Sequence, residues 1–236
     1  MALRLPWPAI TLLLMVLWSL APALTNGQGS EHSALEVRVL HAVYGWDSRL
    51  GTGALRAVDW TAYPVFYGAP VAAGAGTLLT GASPAPAYRL MLASAGAVGA
   101  TMVIKRLMRR PRPFYVLEAI TSRSPEFHAG RPVSDSYALP SGHAALSAAQ
   151  ATSWSLSHPR WYVIGPGVVW AVGVSVSRVW QGVHYPSDVM VGAVLGAGIG
   201  LTIHWIRAAL TPSAWQESPT AASAPLLPPV HIRIGL

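Results

Sequence analysis

From Thr61 to Gly81 the chain carries no Asp, Glu, Lys or Arg, and the same holds for Leu90 to Ile104, Ala144 to Leu156, Trp161 to Ser177 and Val189 to Ile206. A helix that crosses a bilayer needs about 20 predominantly apolar residues, and several of these runs reach that length only when flanking small polar residues are counted. Read as five spans, they predict an all-α fold, a multi-pass transmembrane helical bundle. The run from Ala144 to Leu156 is the most dilute, with Gln150 and several Ser and Thr residues, and is equally compatible with a partly buried helix inside the bundle. Gly192, Gly196 and Gly200 recur every four residues in the last run, a spacing that suits close helix packing.

Composition supports the same reading. Hydrophobic residues make up 52% of the 236 and charged residues only 11%, whereas soluble domains carry about 25%. The absence of cysteine excludes disulfides, thiolate metal sites and cysteine nucleophiles, and leaves the redox compartment open. A net charge of +7 suits an anionic partner, so the position of the cations decides which one.

Residues 1–24 follow signal-peptide grammar: Arg4, an apolar run from Ala9 to Leu20, then Ala21-Pro22-Ala23 before a polar stretch. The segment reads as a cleaved signal peptide or an uncleaved signal-anchor helix, and either places the following residues outside the cytoplasm. Residues 25–210 form the expected membrane domain. Within it, Val37 to Val43 and Leu55 to Val58 are compatible with short amphipathic helices at the interface. Residues 105–140 form one long polar loop, and 211–236, with five prolines, reads as a disordered tail.

The charges gather in three places. "KRLMRRPRP" has six residues between Lys105 and Arg112-Pro113; "PSGH" covers Pro140 to His143; and "SRVWQGVHYPSD" has five residues between Ser177-Arg178 and His184 and three between His184 and Asp188. Between the first two parts lie 26 residues, and between the last two, 33. An isolated basic cluster is ordinarily a cytoplasmic anchor. Together, K-x6-RP, PSGH and SR-x5-H-x3-D make the chain resemble the type 2 phosphatidic acid phosphatase (PAP2) superfamily at every defining position, and the runs from about 61 to 206 look like that family's six-helix membrane branch.

The residue types suit phosphate chemistry. A guanidinium grips phosphate oxygens bidentately, and an ammonium adds a point charge; the resemblance implies that Lys105, Arg112 and Arg178 bind the substrate phosphate. "LPSGHAAL" reads as a helix start with Ser141 as cap, and free N–H groups at such a start attract anions; the family assigns Ser141 and Gly142 to phosphate binding and His143 to protonating the leaving oxygen. Pro186 suits the first turn of a helix, which puts His184 just ahead of it and Asp188 within its opening turns. By resemblance His184 is the nucleophile that forms a phosphohistidine and Asp188 its orienter. No metal and no cofactor is implied. Arg106, Arg109 and Arg110 match no motif position and are expected to hold lipid headgroups or raise the local potential. Glu118, Glu126, Arg131 and Asp135 lie in the long loop, where they could shape substrate entry, although polar loop residues usually face water; the histidines outside the motifs are expected at surface or interface positions.

The resemblance thus implies an integral membrane phosphatase of a lipid phosphate or diphosphate, with phosphatidic acid, phosphatidylglycerol phosphate, undecaprenyl diphosphate and lipid A phosphates as candidate substrates and no nucleic-acid partner. Two spans separate the second motif part from the third, so all three share one face. Running the N-terminal segment outward puts that face outside a bacterial inner membrane, in the periplasm, against the positive-inside preference of residues 105–112. The alternatives are a vanadium-dependent haloperoxidase, which uses much the same residues but in soluble proteins, and a non-catalytic membrane phosphate-binding or transport protein, which the presence of both His143 and His184 disfavours.

Overall fold

The computed structural model describes residues 34–127 and 136–215. The signal or anchor segment 1–24 and the tail beyond residue 215 lie outside the described residues. Among the described residues eight α-helices follow one another: α1 (Ala34–Tyr44), α2 (Arg49–Thr80), α3 (Ala85–Met108), α4 (Pro113–Val116), α5 (Gly142–Ser157), α6 (Trp161–Trp180), α7 (Pro186–Trp205) and α8 (Arg207–Leu210). Among the described residues there is no strand, only an isolated bridge between Pro111 and Tyr137. The fold is an all-α, multi-pass bundle, and α3, α6 and α7 are each long and apolar enough to cross a membrane.

The expected interfacial helix around Leu55 to Val58 does not exist as a separate element. Ser48 caps α2, its hydroxyl accepting from the Gly51 N–H, and the helix runs unbroken for 32 residues, through Pro64 and Pro70, to Gly81 in the left-handed conformation. Arg56 and Asp59 therefore ride on the opening turns of a long helix. Their charges suggested a boundary because the residue that neutralises Asp59 lies 119 positions away, at Arg178.

The dilute run became the centre of the bundle. Helix α5 packs against α2, α3, α6 and α7 and buries Ala144, Ala145, Ser147, Ala149, Gln150 and Ser153. Its polar residues bond within the bundle: the Gln150 amide nitrogen donates to the Phe66 carbonyl (2.9 Å) and the Ser94 hydroxyl (3.1 Å), and the Ser147 hydroxyl donates to the Ala144 carbonyl (3.2 Å). The neighbouring helices turn apolar side chains outward, including Tyr67, Val71, Leu107, Val169 and Met190, which is how a surface facing hydrocarbon is built.

The most extensive helix contact, α5 on α7, uses the glycine repeat. A Cβ on Gly196 would lie 1.9 Å from the Ala145 carbonyl oxygen, and one on Gly192 would lie 2.5 Å from that of Ser141. Only bare Cα atoms allow the two backbones this close. At the opposite end from Ser141, residues 213–215 form a short turn whose Trp215 packs on Tyr88 and accepts from the Ser83 hydroxyl (2.8 Å).

Candidate active site

The three motif parts meet at one end of the bundle. Lys105 sits in the last turn of α3, Arg112 just before α4, Ser141 to His143 at the start of α5, Arg178 in the last turn of α6, His184 ahead of α7 and Asp188 in its first turn. Ser141 caps α5, its hydroxyl facing the Ala144 N–H, and its own N–H donates to the Asp188 carbonyl (2.9 Å), which ties the second part to the third. Lys105, Arg112, Arg178, Ser141, His184 and Asp188 are all buried. Buried charges persist only where partners compensate them, and those partners define the site.

His184 Nε2 lies 3.1 Å from Arg112 Nη1. A guanidinium has donors only, so Nε2 accepts and the neutral ring carries its proton on Nδ1. That nitrogen faces Asp188 Oδ2 at 3.6 Å, an electrostatic contact longer than a hydrogen bond. The same Arg112 nitrogen donates to the Val183 carbonyl (3.0 Å), and its guanidinium lies over the Phe127 ring. Burial, reinforced by Arg112, Lys105 and Arg178, pushes the His184 imidazole well below its ordinary pKa. The site therefore holds a neutral imidazole among three cations.

Asp188 is fixed independently of the histidine. Oδ2 accepts from the Tyr185 N–H (2.7 Å), closing a capping box, and Oδ1 accepts from Arg110 Nη1 (2.8 Å). Arg110 is thus not a headgroup-facing cation, contrary to expectation. It is drawn inward because a fully buried carboxylate needs a counter-charge, and it also donates to Glu36 of α1 (2.8 Å) and the Ser187 hydroxyl (2.7 Å). Arg106 and Arg109, by contrast, remain exposed.

Arg178 is held by two more carboxylates: Nη1 donates to Asp59 Oδ1 (3.0 Å) and Nη2 to Glu126 Oε2 (3.1 Å). Asp59 also accepts from Ser177 (3.3 Å), which gives that motif serine a partner. Glu126, expected to face water, accepts from the Tyr63 hydroxyl (2.8 Å) and lies 3.8 Å from His143 Nε2. The His143 ring is set edge-on against Tyr63 and Phe66 of α2. Arg131 and Asp135 lie outside the described residues. His158 and His204, near the far ends of α5 and α7, take no part in the site.

Sequence reasoning missed Glu36, Asp59, Glu126 and the inward role of Arg110. A signal was available in the chain's nine acidic residues. So few acids in a chain with a net charge of +7 mark those near apolar runs as counter-ions.

The sequence pattern of the PAP2 superfamily matches residues 86–212. An undecaprenyl-diphosphatase of Sulfolobus acidocaldarius is 34% identical over 134 residues, covering 49% of this chain and 58% of that protein. A decaprenylphosphoryl-5-phosphoribose phosphatase of Mycobacterium tuberculosis is 35% identical over 116 residues, covering 48% and 58% respectively. The chain thus spans 58% of the length of these curated relatives. A crystal structure of a transmembrane PAP2-type phosphatidylglycerolphosphate phosphatase from Bacillus subtilis shares the fold, with a TM-score of 0.61 at 19% identity, over 87% of this chain and 98% of that one. With the family pattern running through more than half of its length and the three motif parts gathered at one end of the same fold, this chain belongs to the PAP2 superfamily.

Proposed function

We propose that the chain is a membrane phosphatase that hydrolyses a lipid phosphate or diphosphate through a phosphohistidine. The observation that carries this reading is the neutral His184, whose Nε2 is turned toward Arg112 within a buried group of three cations, at the start of a capped helix. Phosphate ester hydrolysis is among the slowest uncatalysed reactions, so charge stabilisation and a positioned nucleophile are what an enzyme must supply.

In this scheme Lys105, Arg112, Arg178 and the backbone at Ser141-Gly142 take the phosphate oxygens. Arg112 passes its donor from Nε2 to an oxygen, which frees the lone pair. Nε2 then forms a bond to phosphorus as the bond to the lipid oxygen breaks, and His143, which takes up a second ring proton once the bound phosphate offsets the three cations, gives that oxygen a proton. Water attacks the phosphohistidine, His143 takes the water's proton, and phosphate leaves with His184 restored. Asp188 faces the Nδ1 proton throughout and favours the positive charge that the ring acquires. Charge neutralisation rests on the three cations and no step calls for a metal.

The hydrocarbon of the substrate lies in a cavity of about 860 Å³ whose lining includes Val65, Ala73, Leu90, Ala151, Trp154 and Trp170. Trp170 packs edge-on against Phe66, and Phe66 against His143, so a run of packed aromatic rings joins the lining of this cavity to the reacting end. The signal-like pattern of residues 1–24 supports an orientation with the site on the periplasmic side. Alkaline phosphatase fused after Arg207 should be inactive; an active fusion there overturns that orientation.

The deciding experiment uses the full chain purified in detergent, with a chelator present, and measures phosphate release from phosphatidic acid, phosphatidylglycerol phosphate, undecaprenyl diphosphate and lipid A phosphates. At least one should be hydrolysed, with ³²P trapped on the protein after acid-free quenching and lost in His184→Ala. Equal turnover by His184→Ala, or no turnover of any of them, refutes the proposal.

A further inference from the structure

We infer that Glu36 and Arg110 form a positioning pair for the reaction, acting through Asp188 to hold His184; the inference rests on the phosphatase reading above. Both residues lie outside the three motif parts, and Glu36 comes from α1, which precedes the bundle's long helices.

The geometry leaves Arg110 one place to act. Nη1 donates to Asp188 Oδ1 (2.8 Å) and Ser187 Oγ (2.7 Å), Nη2 donates to Glu36 Oε2 (2.8 Å), and the guanidinium lies 4.2 Å from the Tyr185 ring centroid. Glu36 Oε1 in turn accepts from the Ser187 N–H (3.3 Å) and from the Ser187 hydroxyl. The guanidinium is therefore gripped by two carboxylates, a hydroxyl and an aromatic face, all belonging to α1 or the first turn of α7. An arginine so engaged is spent on protein groups and not on a headgroup.

Its position relative to the nucleophile is specific. Arg110 holds Oδ1 of Asp188, while Oδ2, the oxygen that faces His184 Nδ1 at 3.6 Å, is held by the Tyr185 N–H. Fixing both oxygens fixes the carboxylate plane. It thereby fixes the direction in which the ring proton must point and, through the ring, the line along which Nε2 meets phosphorus. Arg110 also gives a fully buried Asp188 its counter-charge, and a carboxylate so compensated can face a ring that becomes cationic. Glu36 completes the chain by orienting the fork, since a guanidinium bound at both ends cannot swing away.

The test uses full-length protein in detergent and short-chain phosphatidic acid, with His184→Ala as reference. Arg110→Ala should lower kcat by about 30-fold or more and leave KM within about threefold, because the pair touches no substrate. Arg110→Lys should recover part of the loss, and millimolar guanidinium should raise kcat of Arg110→Ala. Glu36→Gln should lower kcat by less, and adding it to Arg110→Ala should cost little more, as expected of residues acting through one another. Size-exclusion profiles and melting temperatures of Arg110→Lys and Glu36→Gln near those of the parent keep a folding defect from imitating the effect. An Arg110→Ala variant with raised KM and unchanged kcat would assign Arg110 to headgroup binding and overturn the inference, as would losses that simply multiply. If His184→Ala keeps full activity, the phosphatase reading itself has failed; if it is inactive while Arg110→Ala turns over normally, only the positioning pair has.

Discussion

His184 Nε2 accepts from Arg112 at 3.1 Å, so a cation and the nitrogen proposed as nucleophile share one hydrogen bond. Proton and guanidinium compete for the same lone pair, and burial with three nearby cations favours the guanidinium. Because the folded-state pKa lies well below 6.5, the reactive neutral form survives acidification through that pH. The acid limb of kcat/KM, which reports the free enzyme, should fall below pH 6.5, and a limb centred at or above it would contradict the assignment. The unfolded histidine takes up a proton near 6.5 and the folded one does not, so the share of stability that depends on His184 should decline as pH drops from there to the folded-state pKa. His184→Gln should flatten that part of a melting-temperature curve.

Glu126 places a carboxylate on Arg178 Nη2, where a phosphate oxygen would bind. Replacing it by Gln keeps the shape and removes a like charge. The inhibition constant for inorganic phosphate should fall by up to about fivefold, the scale of one partly solvated charge pair. A weaker inhibition constant would show that the carboxylate chiefly orders Arg178.

Ala73 lines the cavity assigned to the hydrocarbon. A Trp there should raise KM for a long-chain lipid phosphate by about tenfold, since each methylene removed from apolar surroundings costs about 0.8 kcal/mol. Turnover of a short water-soluble phosphate ester should not change. Equal effects on both would move the hydrocarbon elsewhere.

Gly196→Ala drives a methyl into the Ala145 carbonyl. Overpacking of this kind costs about 1–3 kcal/mol, readable as a lower melting temperature in detergent. Gly99, with nothing near its missing Cβ, is the control: Gly99→Ala should be neutral or slightly stabilising.

The sequence made the chemistry legible where it is local. Ser141 capping a helix, Pro186 opening one and the motif spacings each concern a few neighbouring residues, and the structure builds the corresponding helix ends. What could not be read is the pairing between distant segments. Glu36 meets Ser187 across 151 positions, and Asp59 meets Arg178 across 119. The scarcity of acids marks such a residue as a counter-ion without naming its partner, which is why the turns around Asp59 read as a separate amphipathic piece. The same blindness sent Arg110 toward the lipid. Its neighbours Arg106 and Arg109 do face outward, and only the position of Asp188 in space separates the three.

The glycine seam between α5 and α7 bears on how this site can adapt. His143 opens one of these helices and His184 immediately precedes the other, and the two meet backbone to backbone, with no side-chain layer between them whose volume could be tuned. The spacing between the proposed donor and nucleophile is consequently a fixed gauge. Larger or smaller headgroups must be accommodated by the walls outside the seam, the 113–127 segment and the opening turns of α2. Variation in what the site accepts belongs on those two walls, while the seam keeps the reacting distance constant.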